Sequence, residues 1–270
     1  MSSNPLQPVF EAITNSLESI KLRMERDSKF VTGKIEIQIF AEESTDGTGF
    51  FRSLTISDNG VGFDDVHFRR FNTYRDWTKG FNNRGSGRIQ YVHFFDKTSV
   101  FSIFQKEDKY LEREFVVSKE RTFLKENAIV KHKSCRLSST QELLTKVDFQ
   151  NLLVESETYN KLDDKELKTA IMKNFLLYFC NESRPLPKIE ISYFSQRRLK
   201  STSKIEKKDV PKPDKVEDLF VAYKRLNDDG KSLKALDRKE NLKLTSFRLS
   251  KDQAIRNDLF LVSKGQRVPN

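Results

Sequence analysis

Three polar side chains share one stripe of a helix that the sequence predicts near its start. Glu11, Asn15 and Glu18 are spaced i, i+4 and i+7, which at about 100° per residue places them on one narrow face. A carboxamide oxygen can bind a hard cation such as Mg²⁺, and a carboxylate can accept a proton from water. Taken alone, the stripe is also what an ordinary solvated helix face presents. The opposite, apolar face of the helix consists of Val9, Ile13, Leu17 and Ile20.

A turn rich in glycine follows a predicted strand. Residues 58–62 read Asp-Asn-Gly-Val-Gly. Asn-Gly after a strand is also the commonest hairpin signal, so a purely structural turn is the alternative. The second glycine, Gly62, favours a backbone that approaches a flat ligand closely, because neither Gly60 nor Gly62 carries a Cβ. An ionised Asp58 at the strand end would accept a hydrogen bond from the exocyclic amine of adenine, which stands where guanine carries a carbonyl.

A second glycine segment precedes a short apolar run. Residues 82–88 read Asn-Asn-Arg-Gly-Ser-Gly-Arg. Glycine-rich backbone at a helix N-terminus presents free N–H groups to an anion, and Arg84 and Arg88 add positive charge. The segment lacks the Gly-Lys-Ser/Thr ending of a P-loop. A simple flexible loop is the alternative.

Together, these segments resemble the motifs of the GHKL ATPases (gyrase, heat-shock chaperone, histidine kinase and MutL), which have the Bergerat fold. Residues 10–18 resemble the family's N box, Glu-x-x-x-Asn-(Ser/Ala)-x-(Asp/Glu), and residues 58–62 and 84–88 resemble its two glycine boxes. Residues 144–149 are similar to a fourth box, usually Gly-Thr followed by a strand. The resemblance covers roughly residues 5–180 and departs from the family at two glycines, replaced by Asn82 and Leu144.

The resemblance implies that the ligand is ATP with Mg²⁺. Glu11 would be the catalytic general base, and Asn15 would bind the metal with Glu18 in support. Asp58 would read the adenine amine, with Thr145 sharing a bound water. The remaining nucleotide-binding residues would be Gly60 and Gly62 at the base, and Lys79, Arg84, Gly85, Ser86, Gly87 and Arg88 at the phosphates.

The implied function is Mg²⁺-dependent ATP binding and hydrolysis, with lid closure and formation of a homodimer on ATP binding. Among GHKL proteins, the sequence is most similar in character to the MutL-like and MORC-like members, which would give it a role on DNA. A chaperone-like ATPase and a non-hydrolysing ATP-sensing module are the alternatives, and Glu11 argues against the second. A sensor histidine kinase needs a phosphoacceptor helix before the N box, and Glu11 stands too near the start for one.

Periodicity in the sequence predicts a mixed α/β fold. We expect a two-layer sandwich, in which helices cover one face of a mixed, largely antiparallel sheet. Residues 64–84 are aromatic and basic without a clear period, so we interpret them as a long mobile loop. The resemblance implies that this loop is a lid that closes over the nucleotide. The predicted helices cover residues 8–24, 89–95 and 163–178, and the predicted strands cover residues 34–40, 51–57, 98–104, 112–117, 128–131, 146–149, 189–194, 242–249 and 258–262.

The sequence predicts two domains, an ATP-binding domain at 1–185 and a partial transducer-like domain at 186–270. Residues 258–268 resemble a strand and turn of that second domain, and we expect the protein to continue beyond it. Residues 197–215 contain eight Lys/Arg and three Asp/Glu and lack an apolar face, so we interpret them as an exposed excursion without regular structure. Their charge is compatible with DNA or another polyanion as a partner, and equally with a solvated linker.

Composition places the chain among soluble, globular proteins. Hydrophobic residues make up 36% and charged residues 33%, and the net charge is +10. No apolar run approaches the length of a membrane span, so no membrane partner is expected. The two cysteines, Cys135 and Cys180, cannot by themselves form a disulfide framework or a zinc site. We therefore expect a cytoplasmic location.

Overall fold

Alternating apolar residues in the segment after the first helix form an interior strand of the main sheet. Ile35, Ile37 and Ile39 of this strand are at most 1% exposed and lie on one face, as a period of two requires. The computed structural model describes residues 4–43, 49–73, 87–125, 129–153, 156–180, 186–226, 233–247, 262–263 and 266–267.

Eight strands form the main sheet, in the order β5-β4-β3-β6-β2-β1-β7-β8. Only β1 and β7 pair in parallel, and the other six neighbouring pairs are antiparallel. The strands of this sheet are β1 (Lys34–Glu43), β2 (Gly49–Asp58), β3 (Phe95–Lys106), β4 (Lys109–Ser118), β5 (Val130–Leu137), β6 (Leu144–Leu152), β7 (Lys188–Ser195) and β8 (Arg198–Ile205).

Helices pack against one face of this sheet, which confirms the predicted two-layer α/β sandwich. The apolar face of α1 is buried, and Phe10 of α1 meets Phe175 of α6 edge to face, with ring centroids 6.0 Å apart. Asp163 caps α6 by accepting hydrogen bonds from the backbone N–H groups of Lys165 and Glu166. The helices are α1 (Gln7–Arg26), α2 (Asp65–Asn72), α3 (Gly87–Phe94), α4 (Arg121–Lys125), α5 (Glu157–Asn160) and α6 (Asp164–Phe179). Within the described residues, no helix has the length and apolar character that crossing a membrane requires.

The prediction of a loop throughout 64–84 is wrong for its first part, which forms helix α2. Asp64 caps this helix by accepting a hydrogen bond from the His67 N–H at 2.7 Å. Eight residues are too few for a helical period to stand out, and the helix depends on tertiary contacts instead. Phe68 and Phe71 both pack on Phe115 of β4, with ring centroids 5.0 and 5.4 Å apart. The rest of the predicted lid, including Lys79, lies at 74–86, outside the described residues.

The prediction of an irregular excursion at 197–215 is also wrong. This segment contains β8 and the 3₁₀ turn Lys207–Asp209, although most of its side chains are exposed. The strand lacks an apolar face because its inward positions carry the hydroxyls of Ser201 and Ser203, which both donate to Asp164 of α6. Asp164 is only 1% exposed. Hydrogen bonds to its carboxylate therefore attach β8 to α6, where the sequence pattern would predict apolar contacts.

Beyond residue 185, the chain first extends the main sheet and then leaves it. β7 and β8 add two strands beside β1, while β9 (Lys215–Leu226) and β10 (Leu233–Ser246) form a separate antiparallel pair. The predicted strand at 258–262 lies almost wholly outside the described residues. Short strands β11 (Val262–Ser263) and β12 (Gln266–Arg267) pair with each other. The division of the chain into two domains at residue 185 stays a prediction.

Asp164→Ala should lower the free energy of unfolding by about 2–4 kcal/mol, because the half-buried hydroxyls of Ser201 and Ser203 lose their shared acceptor. Chemical denaturation measures this loss, and hydrogen exchange should show faster exchange in β8. Glu166→Ala, on the exposed side of the same helix, should change stability by less than about 0.5 kcal/mol. Equal effects of the two substitutions would contradict the role of Asp164.

Candidate functional site

Adjacent strands bring three polar side chains into one row beneath α1. Asp58 of β2 faces Thr145 of β6, and Thr145 faces Ser102 of β3. Directly paired residues project from the same face of a sheet, and α1 covers this face, since Ser16 of α1 contacts Asp58. Asp58 and Thr145 are each 5% exposed, and Ser102 is fully buried. The structure therefore brings Asp58 and Thr145 together and adds Ser102, whose hydroxyl oxygen lies 3.3 Å from that of Thr145.

The carboxylate of Asp58 is buried and held by two donors. Its Oδ2 accepts a hydrogen bond from the Ser16 hydroxyl at 2.8 Å, and its Oδ1 accepts one from the Gly60 N–H at 2.9 Å. Burial raises the pKa of Asp58 to about 7, and the two hydrogen bonds act in the opposite direction. A carboxylate offers about four acceptor positions, so each oxygen can accept one more hydrogen bond.

The turn after Asp58 is fixed on both sides by hydrogen bonds to its backbone. On the helix side, Arg23 donates from Nη1 to the Asn59 carbonyl at 2.6 Å, and the Ser19 hydroxyl accepts from the Val61 N–H at 3.0 Å. On the sheet side, the Ser102 hydroxyl accepts from the Phe63 N–H at 2.8 Å. The backbone that would face a ligand is therefore held by the surrounding protein.

Both glycines of this turn stand where a Cβ does not fit. A Cβ on Gly60 would lie 2.7 Å from the backbone carbonyl carbon of Ser19 in α1. Gly62 has a φ of +78°, and its Cβ would lie 2.6 Å from the carbonyl oxygen of Ile103 in β3. Close packing of the turn between helix and sheet thus accounts for both glycines, and their predicted approach to a purine stays a prediction.

The stripe of Glu11, Asn15 and Glu18 lies half-buried on α1, next to α3. The Nδ2 of Asn15 donates to the hydroxyl of Tyr91 in α3 at 3.3 Å, which leaves the carboxamide oxygen as the atom that can face a cation. Burial and then the negative charge of Glu11 raise the pKa of Tyr91, so Glu11 also lies near this ring. The donor set fits Mg²⁺, because an Mg²⁺ held largely by phosphate oxygens and water needs few protein ligands. Among the residues that the structure describes, no three His, Cys, Asp or Glu side chains gather into a metal cluster.

Arg84, Gly85 and Ser86 of the predicted phosphate segment lie outside the described residues. Gly87 begins α3, and Arg88 follows it in the first turn. Arg88 is only 7% exposed and donates from Nη1 to the Phe71 carbonyl near the end of α2. Its guanidinium therefore links α3 to α2, and its role towards phosphate stays a prediction.

Sequence reasoning assigned no role to five residues that shape this site: Ser16, Ser19, Arg23, Tyr91 and Ser102. Ser16, Ser19 and Arg23 are spaced i, i+3 and i+7, so a second polar stripe on α1 was visible in the sequence. Ser102 occupies an inward position of a strand whose other inward residues are mostly apolar, which is also a readable signal. Nothing in the sequence indicates that Tyr91 pairs with Asn15, because that contact depends on how α1 and α3 pack.

No protein-family model matches this chain, and neither does a curated protein. Solved structures do match, including two crystal structures of the ATPase region of topoisomerase II from Saccharomyces cerevisiae, one of them bound to ICRF-187 (dexrazoxane). Each has 12% sequence identity and a TM-score of 0.38, and the match covers 72% of this chain and 48% of the neighbour. The chain thus spans about half the length of either neighbour. The closer resemblance to MutL-like and MORC-like proteins stays a prediction.

Asp58→Asn should stabilise the fold at pH 8 and leave it nearly unchanged at pH 4. The folded carboxyl keeps its proton up to about pH 7, whereas the carboxyl of an unfolded chain loses it near the ordinary aspartate pKa of 3.8. The stability that protonated Asp58 contributes is therefore present at low pH and lost as pH rises through about 7. We expect a gain on the order of 1–3 kcal/mol at pH 8, measured by urea unfolding at both pH values.

Asp65→Asn is the control, and its expected change in stability at pH 8 has the opposite sign. Hydrogen bonds from Lys106 and Arg113 lower the pKa of Asp65, so its ionised form stabilises the fold above its unfolded pKa, and this contribution is lost as pH falls. This substitution should therefore destabilise the protein at pH 8. If Asp58→Asn were destabilising at pH 8 as well, burial of the Asp58 carboxylate would not be opposing folding.

Proposed function

We propose that this chain is a GHKL-type module with the Bergerat fold that binds ATP with Mg²⁺ and hydrolyses it. The observation that carries the proposal is the meeting of Asp58, at the end of β2, with Thr145 of β6 and with α1, the helix that bears Glu11 and Asn15. These segments are far apart in sequence and carry the residue types that the resemblance assigns to one nucleotide site.

Asp58 is the residue that we propose recognises the adenine base. A buried carboxylate whose oxygens retain acceptor capacity is suited to the exocyclic amine of adenine. Thr145 would hold a water between itself and the base. The hydrogen bond is strong only while Asp58 is ionised, so ATP affinity should fall as pH drops below about 7.

The other stripe of α1 is where we propose that the triphosphate lies. Glu11 would accept a proton from the attacking water, and Asn15 would bind Mg²⁺ through its carboxamide oxygen, with Glu18 in support. Mg²⁺ would bridge phosphate oxygens and neutralise part of their charge. The remaining phosphate ligands in this proposal are Lys79, Arg84, Gly85, Ser86, Gly87 and Arg88.

We also propose a revised domain boundary and a role for the second part. Because β7 and β8 belong to the main sheet, the ATP-binding domain in this proposal runs through Ile205, and the transducer-like part follows it.

The module would dimerise when ATP is bound and act on DNA, in the manner of MutL-like and MORC-like proteins. Exposed basic side chains in 197–215 favour a polyanionic partner. A chaperone-like ATPase and a non-hydrolysing ATP sensor are the alternative functions.

Selectivity for adenine tests the role of Asp58. Calorimetry with a slowly hydrolysed ATP analogue should show saturable, Mg²⁺-dependent binding, and the corresponding GTP analogue should bind much more weakly. Asp58→Asn should lower ATP affinity at pH 8 by roughly tenfold or more, because the amine loses a charged acceptor. Asp148→Asn, on the opposite face of the sheet, is the matched control and should bind as wild type does. Equal affinity for the two nucleotides would overturn the assignment.

Glu11→Ala and Asn15→Ala should separate catalysis from metal binding. Glu11→Ala should keep ATP affinity and lose turnover by roughly two to four orders of magnitude, because the attacking water loses its base. Asn15→Ala should lose both, since it removes a metal ligand. Steady-state phosphate release and calorimetry measure the two quantities. Turnover at the wild-type rate in Glu11→Ala would show that Glu11 is not the base.

A further inference from the structure

One peptide group connects an arginine of α1 to the carboxylate of Asp58. The guanidinium of Arg23 donates to the carbonyl oxygen of Asn59 at 2.6 Å. The N–H of the same peptide group, which belongs to Gly60, donates to Oδ1 of Asp58 at 2.9 Å. The guanidinium of Arg23, the Asn59–Gly60 peptide and the carboxylate of Asp58 therefore form a chain of two hydrogen bonds, in which one peptide group separates the two charged side chains.

Arg23 occupies its position at a cost. Burial lowers the pKa of its guanidinium, and its Nε is buried without a hydrogen-bond partner among the described residues. Within the part of the chain that the structure describes, no carboxylate lies within 4.0 Å of Arg23 to form an ion pair. The ring of Phe30 lies 4.1 Å from the guanidinium and holds it in place. A partly buried arginine that donates to a backbone carbonyl rather than to a carboxylate adds little to stability, so its position calls for another reason.

We propose that Arg23 is a positioning residue for recognition of the nucleotide base, and that it acts on Asp58 through the Asn59–Gly60 peptide. A charged donor on the carbonyl fixes the orientation of the peptide and polarises it, so that the Gly60 N–H becomes a stronger donor. That stronger donor holds Oδ1 of Asp58 in place and favours the ionised carboxylate, which is the form that accepts from an amine. The effect on nucleotide binding rests on the proposed function. The effect of Arg23 on Asp58 can be measured in the protein without nucleotide.

The groups that face Asp58 from the other packed elements are uncharged. Ser16 contributes a hydroxyl from α1, and Thr145 and Ser102 contribute hydroxyls from β6 and β3. From β1, the residue opposite Asp58 is Ile35. Among the described residues, no charged side chain contacts Asp58 directly. An effect of Arg23 on the pKa of Asp58 through the peptide would therefore not be masked by a nearer charge. Arg23 itself experiences the negative charge of Asp27.

Direct titration of Asp58 in the nucleotide-free protein tests the link. Carbon-13 NMR of labelled aspartate carboxyls follows the ionisation midpoint, and Asp58→Asn identifies the signal. Arg23→Met keeps the length and apolar contacts of the side chain but removes its donors. It should raise the midpoint by about half a pH unit to one unit, because the hydrogen bond that stabilises the anion weakens. Arg23→Lys keeps the charge and should lie between Arg23→Met and wild type.

Lys21→Met is the matched control, since it removes one positive charge from the same helix at a residue that pairs with Glu25. Its midpoint should match wild type to within about 0.2 units. If Arg23→Met shows the wild-type midpoint, the proposal is overturned. If Arg23→Met fails to fold, Arg23→Gln takes its place, and a wild-type midpoint in that variant overturns the proposal equally.

The consequence for the nucleotide gives a second readout. At pH 7, Arg23→Met should bind the ATP analogue about two- to fivefold more weakly, because a smaller fraction of Asp58 is ionised, and the deficit should shrink as pH rises towards 9. Turnover at saturating ATP should stay within about twofold of wild type, because Glu11 and Asn15 are untouched. A deficit of the same size at every pH would show that Arg23 only supports the fold. If wild type binds no ATP, the proposed function fails, while the titration still decides the link.

Discussion

Burial of one carboxylate constrains how the helices and the sheet meet. Asp58 is at the end of β2, directly under α1, where water is largely excluded. Such a group needs donors in place, since an unsatisfied buried charge costs several kcal/mol. The donors come from two directions, the Ser16 hydroxyl above and the Gly60 N–H at the turn. The position of α1 over β2 and the conformation of the turn are therefore both tied to Asp58, and a shift in either would leave one carboxylate oxygen without its donor.

Two polar stripes on α1 contact different parts of the candidate site. Glu11, Asn15 and Glu18 lie towards α3, and Asn15 is oriented there by Tyr91. Ser16, Ser19 and Arg23 lie towards the turn after β2 and hold the carboxylate and the backbone around it. A single rigid helix thus fixes the distance between the region proposed for the triphosphate and the region proposed for the base. Residues on regular elements hold such geometry more closely than residues on loops.

The sequence predicted the helices and strands whose apolar residues repeat at a regular period. Helices α1 and α6 and strand β1 were predictable, because their apolar residues repeat at a helical or alternating period. Helix α2 and strand β8 were not, because their stability comes from distant partners: Phe115 and Arg113 for α2, and Asp164 for β8. The residue types at Asp58 and Thr145 were readable from sequence, but the strand register that places them side by side with Ser102 was not. Contacts such as that of Arg23 with Asn59 follow only once the helix has docked.

A second arginine secures the chain just after the turn. Arg113 of β4 donates from Nη1 to the carbonyls of Phe63 and Asp64, both at 2.9 Å, and from Nη2 to Asp65 at the start of α2. Its guanidinium lies 4.7 Å from the ring centroid of Phe68 and 4.8 Å from that of Phe104. Arg23 holds the turn on one side and Arg113 holds it on the other, so contacts within the protein fix the backbone from Asp58 to Asp65. In the nucleotide site that we propose, binding would therefore have little backbone entropy to overcome at this end, which raises affinity without requiring additional contacts.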